Sequence, residues 1–286
     1  MPSIHDDKIL ELEVRANDIR KSIIEMLVAA GSGHSGGPLG MADIFAALYF
    51  CVMRHDPKNP AWEDRDRLIL SNGHICPVRY AAMAHAGYFP MQELETLRKF
   101  GSRLQGHPER ERLPGTETTS GPLGSGLAQG CGLAYAAKMD RKKWHVWVAT
   151  SDAEHAAGVH WEAVMFAGKF RLNNVTCIVD RNNIQIDGDT EDIMPLEPLR
   201  DKYNAFNWHV LEIDGNNIRE FVEAAAQAKS IVEKPTVIIA HTVPGKGVDF
   251  MEGDYRWHGK PPNKDEARAA LAQLQQIGEK IGAAHG

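Results

Sequence analysis

Apolar side chains recur every three or four positions between residues 8 and 30 (Ile9, Leu12, Ile19, Ile23, Ile24, Leu27), and the run stops at Gly31. That period lines them up along one stripe of a helix, and a glycine just past the stripe is where helices commonly end. Helical spacing returns over 41–53, 78–85, 91–100, 161–170, 218–232 and 264–281, and in an Ala/Gly-rich stretch that opens near Gly126 and runs to Met139. Short β-branched runs lie between, at 68–70, 144–150, 175–179, 209–213 and 236–240. Strands alternate with helices through the second half, so the pattern predicts an α/β fold: a parallel sheet with helices on both faces. No repeat or low-complexity linker interrupts it, which predicts one domain over 1–286 with a helical N-terminal part.

Two of the expected strands end in polar clusters, Ser151-Asp152-Ala153-Glu154 and Asp180-Arg181-Asn182-Asn183-Ile184, with the 161–170 helix between them. A strand–helix–strand crossover is almost always right-handed with parallel strands, so both clusters leave the same edge of the sheet. Open α/β sheets bind ligands at that edge. A carboxylate (Asp152), a side-chain amide (Asn182) and a loop carbonyl meeting there would form an oxygen site for a hard cation such as Mg²⁺. A cation held this way keeps open positions that a diphosphate can fill. Spacing alone also allows Asp152 to be a helix N-cap and Asn182-Asn183 a turn.

Composition narrows the classes. The 286 residues are 43% hydrophobic, enough for a large core, and the net charge of −6 is spread along the chain, so no basic face suggests nucleic acid. The mixed-sign runs 63–67 and 109–112 read as solvated surface. No apolar stretch is long enough to span a bilayer, and Met1–Lys8 is polar with no signal-peptide core, so a soluble, cytoplasmic protein is expected. Cys51, Cys76, Cys131 and Cys177 stand far apart in apolar segments and read as buried free thiols.

Of the 13 histidines, His34, His74, His107 and His258 each have a glycine beside them. Glycine permits close backbone approach, so such a histidine can point into a cleft, where imidazole can hydrogen-bond hydroxyls or phosphates and move protons near neutral pH. None has zinc-ligand spacing. The others, His155 and His160 included, read as surface or packing residues. The Gly121–Gly126 loop opens a helix, so its amides could meet a phosphate or a ring. It is neither a P-loop nor a dinucleotide fingerprint.

These segments, namely Ser32–Asp43, Asp64–Arg67, Leu70–His74, Gln105–Glu109, Thr118–Gly126, Asp180–Gly188 and Trp257–Gly259, together resemble the N-terminal, diphosphate-binding half of a transketolase, over about residues 15–262. The resemblance implies a thiamine diphosphate enzyme that moves a two-carbon ketol unit between sugar phosphates. It implies that Asp152, Asn182 and the Ile184 carbonyl hold Mg²⁺ or Ca²⁺, that His74 contacts the diphosphate, and that Ile186 packs on the thiazolium. Gly121, Leu123 and Ala153 would touch the cofactor, and His34, His107 and His258 would line the substrate channel. Transketolases of one chain are more than twice this length. The resemblance is therefore to the N-terminal subunit of a split enzyme, whose partner chain supplies the pyrimidine-binding domain in a heterotetramer of two plus two. The alternatives are a subunit of another thiamine diphosphate enzyme (1-deoxyxylulose-phosphate synthase-like, or a ketoacid dehydrogenase component) and a non-catalytic scaffold.

Two departures from the family pattern stand out. The usual Gly-Asp-Gly reads Ser151-Asp152-Ala153, and a side chain forced to positive φ there would cost roughly 1–2 kcal/mol. Ala157 stands where the family has a glutamate between its two active sites, while Glu162 keeps its partner position.

Overall fold

The structure, a computed structural model, describes residues 4–283; Met1–Ser3, the first positions of the polar N-terminus, and Ala284–Gly286 lie outside the described residues. The first helix, α1, covers Asp6–Ala30 and closes on Gly31, whose φ of 63° brings its amide to the Leu27 carbonyl. Its buried residues Leu12, Ile19, Ile23 and Leu27 are those of the predicted stripe. Next come α2 (Gly36–Gly40) and α3 (Ala42–Ala47), and a π-helical turn over Leu48–Val52. Strand β1 (Arg67–Leu70) leads through a short 3₁₀ turn into α4 (Cys76–His85). After a long loop come α5 (Ser125–Met139), β2 (Val146–Ser151), α6 (Gly158–Phe170) and β3 (Val175–Arg181). A small hairpin, β4 (Ile184–Gln185) and β5 (Gly188–Asp189), precedes α7 (Thr190–Ile193) and α8 (Leu199–Ala205). The chain ends with β6 (His209–Asp214), α9 (Ile218–Ser230), β7 (Thr236–His241) and α10 (Lys264–Ala283).

Strands β1-β2-β3-β7-β6 lie in that order in one sheet, and every pairing is parallel. The period-two geometry of a strand sorts their side chains onto two faces. Trp147, Ala149, Ile178, Ile238 and Ala240 join a core with α1, α3, α4 and α10, while Val146, Val148, Cys177, Val179, Val237 and Ile239 join a second core with α5, α6 and α8. Both faces are covered, as the α/β pattern predicts. Register sets Ser151 against Asp180 and Asp180 against Ala240, so the loops after β2, β3 and β7 leave the sheet side by side.

The expected helix over 91–100 is instead a 3₁₀ segment, Met91–Thr96, followed by turns. Only Leu94 and Leu97 of that stretch are buried and Phe100 is fully exposed, so its apolar residues form no helical stripe. The 41–53 helix is broken into α3 and the π-helical turn, which leaves Cys51 exposed, against the expectation of four buried thiols. The hairpin, α7 and α8 carried no apolar periodicity long enough to announce them. Among the described residues no helix is long and apolar enough to cross a membrane.

Ile178 lies wholly buried in the middle strand, so Ile178→Ala should cost about 2–5 kcal/mol, while Val232→Ala at an exposed site should stay within about 0.5 kcal/mol. Urea denaturation of the two variants checks this.

Candidate active site

The turn after β2 is built around two buried carboxylates. Glu154 accepts the Ser71 hydroxyl, the Gly124 amide at 2.6 Å and the Ser151 amide at 2.8 Å. Those donors come from the end of β1, the loop before α5 and the end of β2, so one side chain gathers three segments. Gly126 lets α5 start against Ser71: its amide donates to the Ser71 hydroxyl at 3.1 Å, and a Cβ there would collide with that side chain. Burial raises the Glu154 pKa against the pull of these donors.

Asp152 is 0% exposed. Its Oδ1 accepts the Ala153 amide at 2.7 Å; its Oδ2 accepts Arg181 at 3.1 Å, the Asn183 amide at 2.9 Å and the Thr190 hydroxyl at 3.2 Å. Burial raises its pKa, and Arg181 is the chief opposing influence. Asn182 donates to Asp180 at 2.9 Å and accepts the Ile184 amide at 3.1 Å. Asp180 also accepts the Thr242 hydroxyl at 2.5 Å; burial first, and Asp152 with it, push its pKa up to about 7. Asp152 is thus an N-cap, Asn182 accepts the amide two residues on, with Asn183 at φ 63°, and the Asn183 amide on Asp152 ties the loop after β3 to the loop after β2. The capping and the ligand-site readings are compatible.

Beside this turn the four glycine-flanked histidines converge. Ring centroids are 4.9 Å apart for His34 and His74, 5.6 Å for His34 and His258, and 5.3 Å for His74 and His258. With His107 they line a cleft of about 350 Å³, closed by Gly121, Leu123, Ser151, Ala153, Ile184 and Ile186. Burial lowers the pKa of all four; His258 and Arg98 add to this at His34, which falls to about 4, and Arg98 adds to it at His107. Burial thus favours the neutral form at His34, His74 and His258, with one donating and one accepting nitrogen each, and His107, exposed at the rim, is shifted the same way.

The cleft has unmet polar capacity of the kind a phosphorylated cofactor would use. His34 Nδ1, His258 Nδ1 and Ser151 Oγ are buried without a hydrogen-bond partner among the described residues. Ile186 is 65% exposed and Leu123 43% exposed, apolar surfaces facing an open space where a ring could lie. Nothing occupies the position of a side chain at Gly121, whose φ is 151°. Among the described residues no group of three or more His, Cys, Asp or Glu side chains is placed to hold a metal, so a cation here would use mixed oxygens. Asp152 Oδ1 and Asn182 Oδ1 each accept only one hydrogen bond and can take a further partner. The residues fit thiamine diphosphate with a divalent cation.

The strain expected of Ser151 and Ala153 is absent. Ser151 ends a strand, Asp152 has φ −60°, and Ala153 begins a 3₁₀ turn; none has positive φ. Glu154, Asp180, Arg181 and His155 were not singled out from sequence. His155 Nδ1 lies 3.0 Å from the carbonyls of both Ser151 and Asp152, and its Nε2 2.8 Å from the Tyr203 hydroxyl, so it braces the turn as more than packing. Its partner is 48 positions away and that of Glu154 on Ser71 is 83 away, separations that no local pattern reveals.

A parallel α/β sheet with an oxygen-donor turn and a polar cleft at the strand ends places this protein in the class of open α/β folds that bind a ligand at that edge. Residues 13–278 match the family model described as the transketolase, thiamine diphosphate binding domain. The 6-deoxy-6-sulfo-D-fructose transketolase subunit SqwG of Clostridium sp. is 44% identical over 269 residues, which cover 94% of this chain and 98% of that one. One of the subunits of the apulose-4-phosphate transketolase of Phocaeicola vulgatus is 37% identical, covering 94% and 96%. The structure of transketolase from Campylobacter jejuni matches with a TM-score of 0.87 at 33% identity, over 96% of this chain and 45% of that one. The chain belongs to the transketolase family through its thiamine diphosphate-binding domain, and it spans about half the length of the single-chain relatives it matches.

Between pH 6.5 and about 4 an unfolded chain takes up a proton that folded His34 refuses, so stability falls as pH drops through that window. His34→Gln should make the fall in Tm from pH 6.5 to 4 shallower than in wild type; an unchanged acid limb in a calorimetric series would contradict the burial argument.

Proposed function

We propose that this chain is the cofactor-binding subunit of a two-chain transketolase. In this reading it acts with a partner chain that supplies the pyrimidine-binding domain, assembled two plus two. The observation that carries the reading is the convergence of His34, His74, His107 and His258 on a cleft whose wall includes Ser151, Ala153 and Ile184, the neighbours in sequence of Asp152 and Asn182. Near end-to-end coverage of two relatives named as subunits supports the two-chain organisation. So does α6, which leaves Val159, Met165 and Phe166 exposed beside Glu162, an apolar strip suited to burial in an assembly.

Asp152, Asn182 and the Ile184 carbonyl would hold Mg²⁺ or Ca²⁺, with His74 on the diphosphate and Gly121, Leu123, Ala153 and Ile186 against the rings. Bound there, thiamine diphosphate supplies the electron sink for breaking and making a carbon–carbon bond next to a ketose carbonyl. The chain's own work is orientation and proton traffic. His34, His107 and His258 can accept a hydroxyl proton on one nitrogen and donate from the other without carrying charge through the cycle. Burial, with Arg98 beside His34 and His107, disfavours their charged forms.

The substrate is a ketose with an anionic end. The names of the two subunit relatives point to a sulfonated and a phosphorylated sugar, so both end groups belong in the assay. Ser151 and Ala153 carry no positive φ, so of the three residues that favour a non-catalytic scaffold only Ala157 keeps its weight.

In the assembled complex, thiamine diphosphate with Mg²⁺ at 100 times its Kd should add about 2.7 kcal/mol of stability, read as a rise in Tm. Asp152→Ala should abolish the shift; a retained shift would overturn the cation assignment. Ketol transfer from xylulose 5-phosphate or from 6-deoxy-6-sulfo-D-fructose, with no carbon dioxide released from pyruvate, is the expected activity.

A further inference from the structure

Arg181 ends β3 with its side chain 3% exposed, and it serves three carboxylates at once. One terminal nitrogen donates to Asp152 Oδ2 at 3.1 Å; the other donates to Glu191 at 2.5 Å and Glu197 at 3.0 Å. Both glutamates belong to the segment that follows the hairpin. Glu191 in turn accepts the Leu196 amide with both oxygens at 3.2 Å, and Glu197 accepts the Leu199 amide at 2.8 Å. Thr190, beside Glu191, donates its hydroxyl to the same Asp152 oxygen. The chain between Asn183 and Leu199 is therefore tied back to Asp152 at several points, and this is the chain that carries Ile186 along the cleft.

The two Asp152 oxygens are treated unequally. Oδ2 receives Arg181, Asn183 and Thr190, whereas Oδ1 receives only the Ala153 amide. A carboxylate oxygen has about two good acceptor directions, so Oδ2 is full and Oδ1 is not.

We infer that Arg181 is a positioning residue for the cation site: it holds Asp152 by Oδ2, so that Oδ1 is presented to a divalent cation, and it couples that carboxylate to the 183–199 segment that covers the cofactor. The inference rests on the reading of Asp152 as a cation ligand. Only a planar fork can do this; a lysine ammonium could neutralise Asp152 but could not reach the two glutamates from the opposite side of the same group.

The test uses the assembled complex and the Mg²⁺ concentration that half-saturates thiamine diphosphate binding, followed by tryptophan fluorescence, together with hydrogen exchange over 184–197. Arg181→Lys should raise that Mg²⁺ requirement about tenfold or more, as loss of a group that orients a metal ligand typically does. It should also remove the exchange protection that cofactor confers on 184–197 in wild type. Should Arg181→Lys fail to fold, the double variant Glu191→Gln, Glu197→Gln, altered where both side chains reach solvent, should shift both readouts in the same direction. A role confined to stability would lower Tm and leave the Mg²⁺ requirement alone, and that result overturns the inference while the site reading stands. Absence of any binding by the wild-type complex overturns the site reading and the inference together.

Discussion

A carboxylate taken wholly out of water must be met by donors, and Asp152 is met by four: the Ala153 and Asn183 amides, the Thr190 hydroxyl and the Arg181 guanidinium. Removing the partner of such a buried charge commonly costs about 3–5 kcal/mol, so each donor is held where it is by the need to satisfy this one group. The turn after β2, the turn after β3 and the start of α7 consequently have one relative arrangement. The cleft wall formed by Ser151, Ala153, Ile184 and Ile186 takes its shape from it. The fold contributes the precondition, because parallel strands in register deliver Ser151 and Asp180 side by side at one edge.

Glu154 plays the corresponding part for the opposite wall. Its two oxygens collect Ser71, Gly124 and Ser151, so the loop carrying His74 and the loop carrying Gly121 and Leu123 are drawn to the strand end that carries Asp152. His34, His74 and His258 then crowd together away from water, and burial more than any particular charge disfavours their charged forms. Two buried acids thus organise a cleft lined by uncharged bases.

Much of this was visible along the chain. The α1 stripe, the alternation of strands and helices, and the glycine beside each of His34, His74, His107 and His258 were all legible because each depends on residues within a few positions of one another. The segments resembling a transketolase were legible for the same reason. Where expectation failed, the missing information was non-local or geometric. The 91–100 run had the composition of a helix but too few residues facing a partner surface to stay one. The penalty anticipated at Ser151 and Ala153 assumed a backbone path that this turn does not take.

By itself the sequence determined the fold class, the order of the strands along the chain, and which polar clusters leave the sheet at a strand end, since periodicity and turn chemistry are local properties. Only the tertiary structure decided that Glu154 would knit three loops together, that Arg181 would bridge Asp152 to Glu191 and Glu197, and that four histidines spread over more than two hundred positions would share one cleft. Those contacts are chosen by desolvation, which acts on whatever the folded chain brings together and leaves no period in the sequence.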